Sequence, residues 1–379
     1  MQGILGAMKL TVAALALALA LVLFVLAGCT SRSTAPPAES TAATAAPTPA
    51  PAGPGAAATP TRPSTGSATG STPSPPSAPT ATPRPKSKPN PISMDALIQK
   101  TYDGRDLKLG RRLGDFGAYK RYLITYRGDG ETISGVMNVP DGKGPFPMLV
   151  LNHGYIDPDV YVLGQGMRRE QDYLARQGYV VLHVDYRGHA TSSNDPDVDY
   201  ELRLPYAVDS INAVQAVKAS SLKFLDGDRV GWLGRSMGGE VTLRALAAQP
   251  GLVDAAVIYA STSSLTADNY NQFSRDDPDR RATGRKIDET YGLPNENPDF
   301  WRAASARPYF DRVTEPLFVL HGTEDDTCPI AWSRDTVKAL EAVGAEVTLK
   351  EYAGEGHRFE GQFDDSIKRT ADFFADHLT

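Results

Sequence analysis

An α/β fold, with a mostly parallel sheet covered by helices on both faces, is predicted for the C-terminal three quarters of this chain. Three observations predict it. Short apolar runs alternate with helical patterns over most of that length. The runs are apolar throughout, as strands buried on both sides are, and do not alternate with polar residues. Ahead of them, two β-rich runs separated by Gly128-Asp129-Gly130 read as an antiparallel hairpin.

The hairpin joins Arg121 to Tyr126 with Thr132 to Val139. The later strands are read at Met148 to Leu151, Tyr179 to Val184, Arg229 to Leu233, Ala255 to Tyr259, Leu317 to Leu320 and Glu346 to Lys350. Helical patterns cover Gly166 to Gln177, Pro205 to Ala219, Gly239 to Gln249, Ala331 to Val343 and Asp364 to His377. Open parallel sheets bind ligands beyond the carboxyl ends of their strands, so the loops that follow those ends are where chemistry is expected.

The 379 residues carry 39 Lys plus Arg against 45 Asp plus Glu, and 41% of them are hydrophobic. A mildly acidic chain without a basic run has no electrostatic footprint for nucleic acid. Two cysteines cannot make a disulfide framework, so stability must come from packing. The composition divides the chain in three. Residues 1–28 read as a signal peptide: Lys9 supplies the basic start, a run of Ala, Leu and Val follows, and small residues end it. Met8-Lys9-Leu10 begins that signal more naturally than the seven residues before it. Leu26-Ala27-Gly28-Cys29 resembles the lipobox of bacterial lipoproteins, which implies a thiol acylated at Cys29 and a cut just before it; an uncleaved membrane anchor is the alternative. Residues 29–91 hold 16 of the 29 prolines and almost no large apolar side chain. Such a segment cannot bury enough surface to offset its ordering entropy and is expected to be a disordered tether, roughly 40–45 Å end to end. Residues 92–379 form the folding unit.

Directly after the strand ending at Leu233 comes Gly234-Arg235-Ser236-Met237-Gly238-Gly239, followed by a helical pattern. In that strand-turn-helix context the Gly-x-Ser-x-Gly pattern fits a nucleophile elbow, in which small residues allow a tight turn that exposes the serine hydroxyl. Ser236 needs a base. Of six histidines, His357 lies on a glycine-bearing loop between the last strand and the last helix and is the candidate; His183 sits inside an apolar strand, and His377 on the final helix. A carboxylate must orient the imidazole. The loop after Leu320 offers Glu324, Asp325 and Asp326, and spacing alone does not choose among them.

The order of serine, acid and histidine, each after its own strand, resembles the α/β-hydrolase fold. More narrowly, Gly-x-Ser-x-Gly-Gly, the run His321-Gly322-Thr323-Glu324-Asp325 ending near Pro329, and Gly354-Glu355-Gly356-His357 resemble the catalytic domain of the prolyl oligopeptidase family and its dienelactone-hydrolase-like relatives. That resemblance spans residues 120 to 379 and selects Asp325, four residues after a histidine. It also implies an oxyanion hole made of the Met237 amide and the Tyr155 amide, with His153 bracing the Tyr155 loop. Cys328 stands where the family has Val, as a small buried hydrophobe. The propeller that precedes the family's catalytic domain has no counterpart in the tether.

The predicted function is that of a secreted, lipid-anchored serine hydrolase acting on carboxylic esters or amides through an acyl-enzyme, held at the membrane by its N-terminus and needing no metal or organic cofactor. Esters rank above peptides because no propeller filters by size; a prolyl oligopeptidase-like peptidase is the alternative, and a non-catalytic surface binding module is a second. Between Tyr259 and Pro316 a polar insertion, residues 261–314, is a possible small cap. Arg235 and Glu240 flank the elbow and are expected to form structural ion pairs.

Overall fold

A computed structural model describes residues 88–379. The signal segment, Cys29 and nearly all of the tether lie outside the described residues. The Asn90 side chain accepts the Ile92 amide at 2.9 Å, and Ser93 caps a first helix, α1 (Met94–Gln99).

Nine strands form one sheet: β1 (Arg105–Asp115), β2 (Tyr119–Gly128), β3 (Glu131–Pro140), β4 (Phe146–Asn152), β5 (Val180–Val184), β6 (Leu225–Arg235), β7 (Ala255–Tyr259), β8 (Leu317–Gly322) and β9 (Val347–Tyr352). They lie in the order β1-β2-β3-β5-β4-β6-β7-β8-β9, antiparallel from β1 to β5 and parallel from β5 to β9. The predicted hairpin is β2–β3, closed by Asp129 and Gly130, both at positive φ (56° and 83°), which matches the twist of the flanking strands. Strand β1 has no apolar pattern in the sequence. It is an edge strand rich in charge, and most of its side chains stay in contact with water.

Helices cover both faces, and β4 shows why. Met148 and Val150 face one apolar cluster, Leu149 and Leu151 the other. The first cluster takes in α1, α3 (Leu204–Lys218), α4 (Met237–Ala248) and α8 (Ile330–Ala342). The second takes in α2 (Arg168–Arg176) and α9 (Phe363–His377). Every residue of α4 is buried, including Glu240 and Arg244. The insertion after β7 is helical: α5 (Thr266–Tyr270), a π-helical turn (Asn271–Arg275), a 3-10 turn (Pro278–Arg280), α6 (Arg281–Tyr291) and α7 (Pro298–Ala303). Its aromatic residues pack on one another, Tyr291 on Phe300 at 4.3 Å and Tyr270 on Trp301 at 4.6 Å between ring centroids.

Candidate active site

Ser236 is the single residue between β6 and α4, and it carries φ 56° and ψ −124°. That backbone is unfavourable for any residue with a Cβ, so the surroundings must enforce it. They do so through glycines. A Cβ on Gly234 would overlap the Gly238 carbonyl and the Thr242 hydroxyl, and one on Gly238 would overlap the Asn152 carbonyl at the end of β4. The Ser236 amide donates to Tyr259 O at 2.9 Å, and the Ser236 carbonyl receives the Gly239 amide at 2.8 Å and the Thr262 amide at 3.2 Å. The turn is thereby pinned to the ends of β4 and β7.

The loop after β8 and the loop after β9 meet beside it. His357 Nδ1 lies 2.8 Å from Asp325 Oδ2. Asp325 Oδ1 receives the Thr327 amide at 2.9 Å and the Cys328 amide at 2.8 Å. Burial disfavours the charged carboxylate, but hydrogen bonds from His321, His357 and the Cys328 amide outweigh it and hold the Asp325 carboxyl far below the usual range. Neither Glu324 nor Asp326 has these partners, so geometry makes the choice that spacing could not.

Ser236 and His357 line one cavity of about 1110 Å³, together with Met237 and Tyr155. Among the described residues, neither the Met237 nor the Tyr155 amide donates to a backbone acceptor. Met237 opens helix α4, where the first amides have no partner within the helix. A Cβ on Gly154 would come within 3.0 Å of Ser236 Cβ, so the Tyr155 loop runs directly alongside the serine. His153, fully buried, sits under that loop, with Nδ1 2.6 Å from Gly154 O. Cys328 is fully buried, and burial pushes its thiol up, with the neighbouring Ser236 hydroxyl acting the other way.

With that geometry in place, comparison with known proteins decides the family. The model of the prolyl oligopeptidase family matches residues 165–379, the span that holds Ser236, Asp325 and His357. The chain belongs to the prolyl oligopeptidase family. An uncharacterized peptidase of Bacillus subtilis (strain 168), YuxL, is 26% identical over 269 residues, covering 66% of this chain and 38% of the relative. Dipeptidyl aminopeptidase BIII of Pseudoxanthomonas mexicana is 28% identical over 251 residues, covering 61% and 34%. The chain therefore spans well under half the length of these two relatives. Among solved structures, the acetyl xylan esterase of Paenibacillus sp. R4 superposes with a TM-score of 0.56 at 18% identity, over 75% of this chain and 92% of that one, a likeness of fold. The fold is that of the α/β hydrolases, and the family carries the equipment of a serine hydrolase.

The ion pairs expected of Arg235 and Glu240 are present, but their partners, and the part Arg169 takes at this site, had no signal in the sequence. Arg235, expected in an ion pair, pairs with Glu170 of α2 and also donates from Nη2 to the His357 carbonyl at 2.8 Å. Arg169 holds the next two carbonyls, those of Arg358 and Phe359. Glu240 pairs with Arg244 at 2.6 Å, and burial raises its carboxyl even so. The insertion supplies Tyr270, Phe273, Asp277 and Arg280 to the cavity wall, so it shapes the pocket as a cap would.

Proposed function

We propose that this chain is a serine hydrolase that cleaves carboxylic esters through an acyl-enzyme. Ser236 attacks the carbonyl, and His357 takes its proton and later delivers it to the leaving group. Asp325 occupies Nδ1, which fixes the tautomer that leaves Nε2 for the serine and stabilises the imidazolium. The Met237 and Tyr155 amides receive the negative charge of the tetrahedral intermediate, and water then releases the acyl group. The observation that carries this reading is the strained Ser236 facing one cavity with a histidine already bonded to a buried carboxylate. Esters rank first because the oxygen leaving group of an ester is expelled more readily than an amide nitrogen, which must be protonated before it can depart. The two relatives named as peptidases favour peptide cleavage as the second reading.

The comparative test is turnover of short p-nitrophenyl esters beside blocked and free-amine peptide anilides. The ester reading expects kcat/KM for the esters to exceed that for every anilide; a faster anilide would transfer the enzyme to the peptidases. The chain is further proposed to work outside the cytoplasm on a lipid anchor, a placement supported by Lys9, the apolar run and Cys29. Expressed in a bacterial host, the full chain should take up radiolabelled palmitate and Cys29→Ala should not. Failure of the unaltered chain to take up the label, or equal uptake by the two, would overturn the lipid anchor.

A further inference from the structure

We infer that the cavity beside Ser236 holds an anion subsite built by Arg203 and Arg280, and that the substrate carries a carboxylate close to its scissile carbonyl. This rests on the hydrolase reading above and narrows its substrate class.

Arg203 precedes α3, Arg280 ends the 3-10 turn of the insertion, and both line the cavity with Tyr155 and Met237. Each guanidinium carbon lies 4.6 Å from the centroid of the Tyr155 ring, so both cations rest against the same ring. One carboxylate serves both. Arg203 Nε donates to Asp199 Oδ1 at 2.7 Å and Arg280 Nη2 to Asp199 Oδ2 at 2.8 Å. The remaining contacts are weak: Arg203 Nη1 points at the Met237 sulfur, 3.7 Å away, and Arg280 Nη2 reaches the Tyr155 hydroxyl at 3.4 Å.

A guanidinium has five N–H donors in a planar fork. Among the described residues, most of the donors on these two forks therefore have no protein acceptor, although the side chains are only 16% and 14% exposed. These free donors open onto the cavity, where two neighbouring guanidinium groups favour an incoming anion, and a carboxylate matches the fork with two parallel bonds. The Tyr155 ring and the shared Asp199 hold both forks in place beforehand, so little ordering is left to binding. Glu240 does not compete, because Arg244 engages it at 2.6 Å. Asp277 caps its own turn by accepting the Asp279 amide at 2.9 Å. Met237 follows the nucleophile directly, and its sulfur neighbours Arg203, which sets the anion about one side-chain length from the reacting carbonyl.

The test compares matched substrates on the full-length protein. Mono-p-nitrophenyl glutarate is set against p-nitrophenyl valerate for the acyl side, and 4-acetoxybenzoate against its methyl ester for the leaving-group side. In at least one pair the carboxylated member should have the higher kcat/KM, by about tenfold at low ionic strength, and added salt should shrink that ratio. Arg280→Gln should lower the same ratio by about tenfold. Free glutarate should slow fluorophosphonate labelling of the unaltered protein where glutaramide does not, a readout that needs no variant to fold. If the neutral esters turn over while neither carboxylated member is preferred and glutarate gives no protection, the subsite is overturned and the hydrolase reading stands. If nothing turns over and no probe labels Ser236, both fall.

Discussion

Truncating Arg235 to alanine would loosen His357, the proposed base, without touching its chemistry. The guanidinium reaches from the residue before the nucleophile to the His357 carbonyl at 2.8 Å and pairs with Glu170 on α2; the side chains are 12% and 2% exposed. Two charge-assisted bonds disappear, each worth about 1.5–3 kcal/mol, and a buried carboxylate loses its partner. Arg169 still holds the next two carbonyls, so the loop keeps part of its anchorage. If about one such bond is lost from the reactive geometry, kcat falls roughly 10- to 150-fold at about 1.36 kcal/mol per decade. KM should change less than kcat, because the strong contacts of Arg235 go to Glu170 and the His357 carbonyl, although the side chain also borders the cavity. The assay is kcat per active site, with sites counted by fluorophosphonate titration and folding checked by circular dichroism. Arg235→Lys should recover part of the loss, since one ammonium can hold one of the two partners. A folded Arg235→Ala protein with kcat within about threefold of the unaltered enzyme would refute the positioning argument.

Two further outcomes follow from the same geometry. Asp325→Asn should lower kcat by about 10³–10⁴ through loss of the correct imidazole tautomer, measured by steady-state ester hydrolysis with folding unchanged. Acid should destabilise the fold through His153 and His183, which are fully buried. Burial, then the neighbouring His189 charge, holds His153 down at about 3; burial, then His153 and Arg121, holds His183 well below its ordinary value. Both folded values lie under the unfolded value of about 6.5, so stability is complete above that pH and falls as protons bind the unfolded chain, by about 2 kcal/mol per histidine at pH 5. Urea titrations at pH 7 and pH 5 check this, and His183→Gln should flatten the difference.

Strands β4, β5, β7 and β8 were legible because they are buried on both faces and therefore read as unbroken apolar runs. The elbow was legible because the close approach of Gly234 and Gly238 to neighbouring backbone and side-chain atoms leaves no room for other residues. Strand β1 was not, since an edge strand needs no apolar pattern when only its backbone is held. Asp325 could not be separated from Glu324 and Asp326 by spacing; what distinguishes it is the turn that delivers the Thr327 and Cys328 amides to one oxygen and His357 to the other. The Arg203–Tyr155–Arg280 cluster joins three distant segments, and the Arg169 and Arg235 hold on the His357 loop joins three more. Neither leaves a periodicity or a motif, because nothing local in the chain requires those partners.

Labelling by a fluorophosphonate probe, with the unaltered full-length protein beside Ser236→Ala and His357→Ala, tests the central claim most directly. The account predicts rapid labelling of the unaltered protein at Ser236, none of Ser236→Ala, and a rate reduced by orders of magnitude in His357→Ala. A folded unaltered protein that does not label, or one that labels equally well without His357, would contradict it.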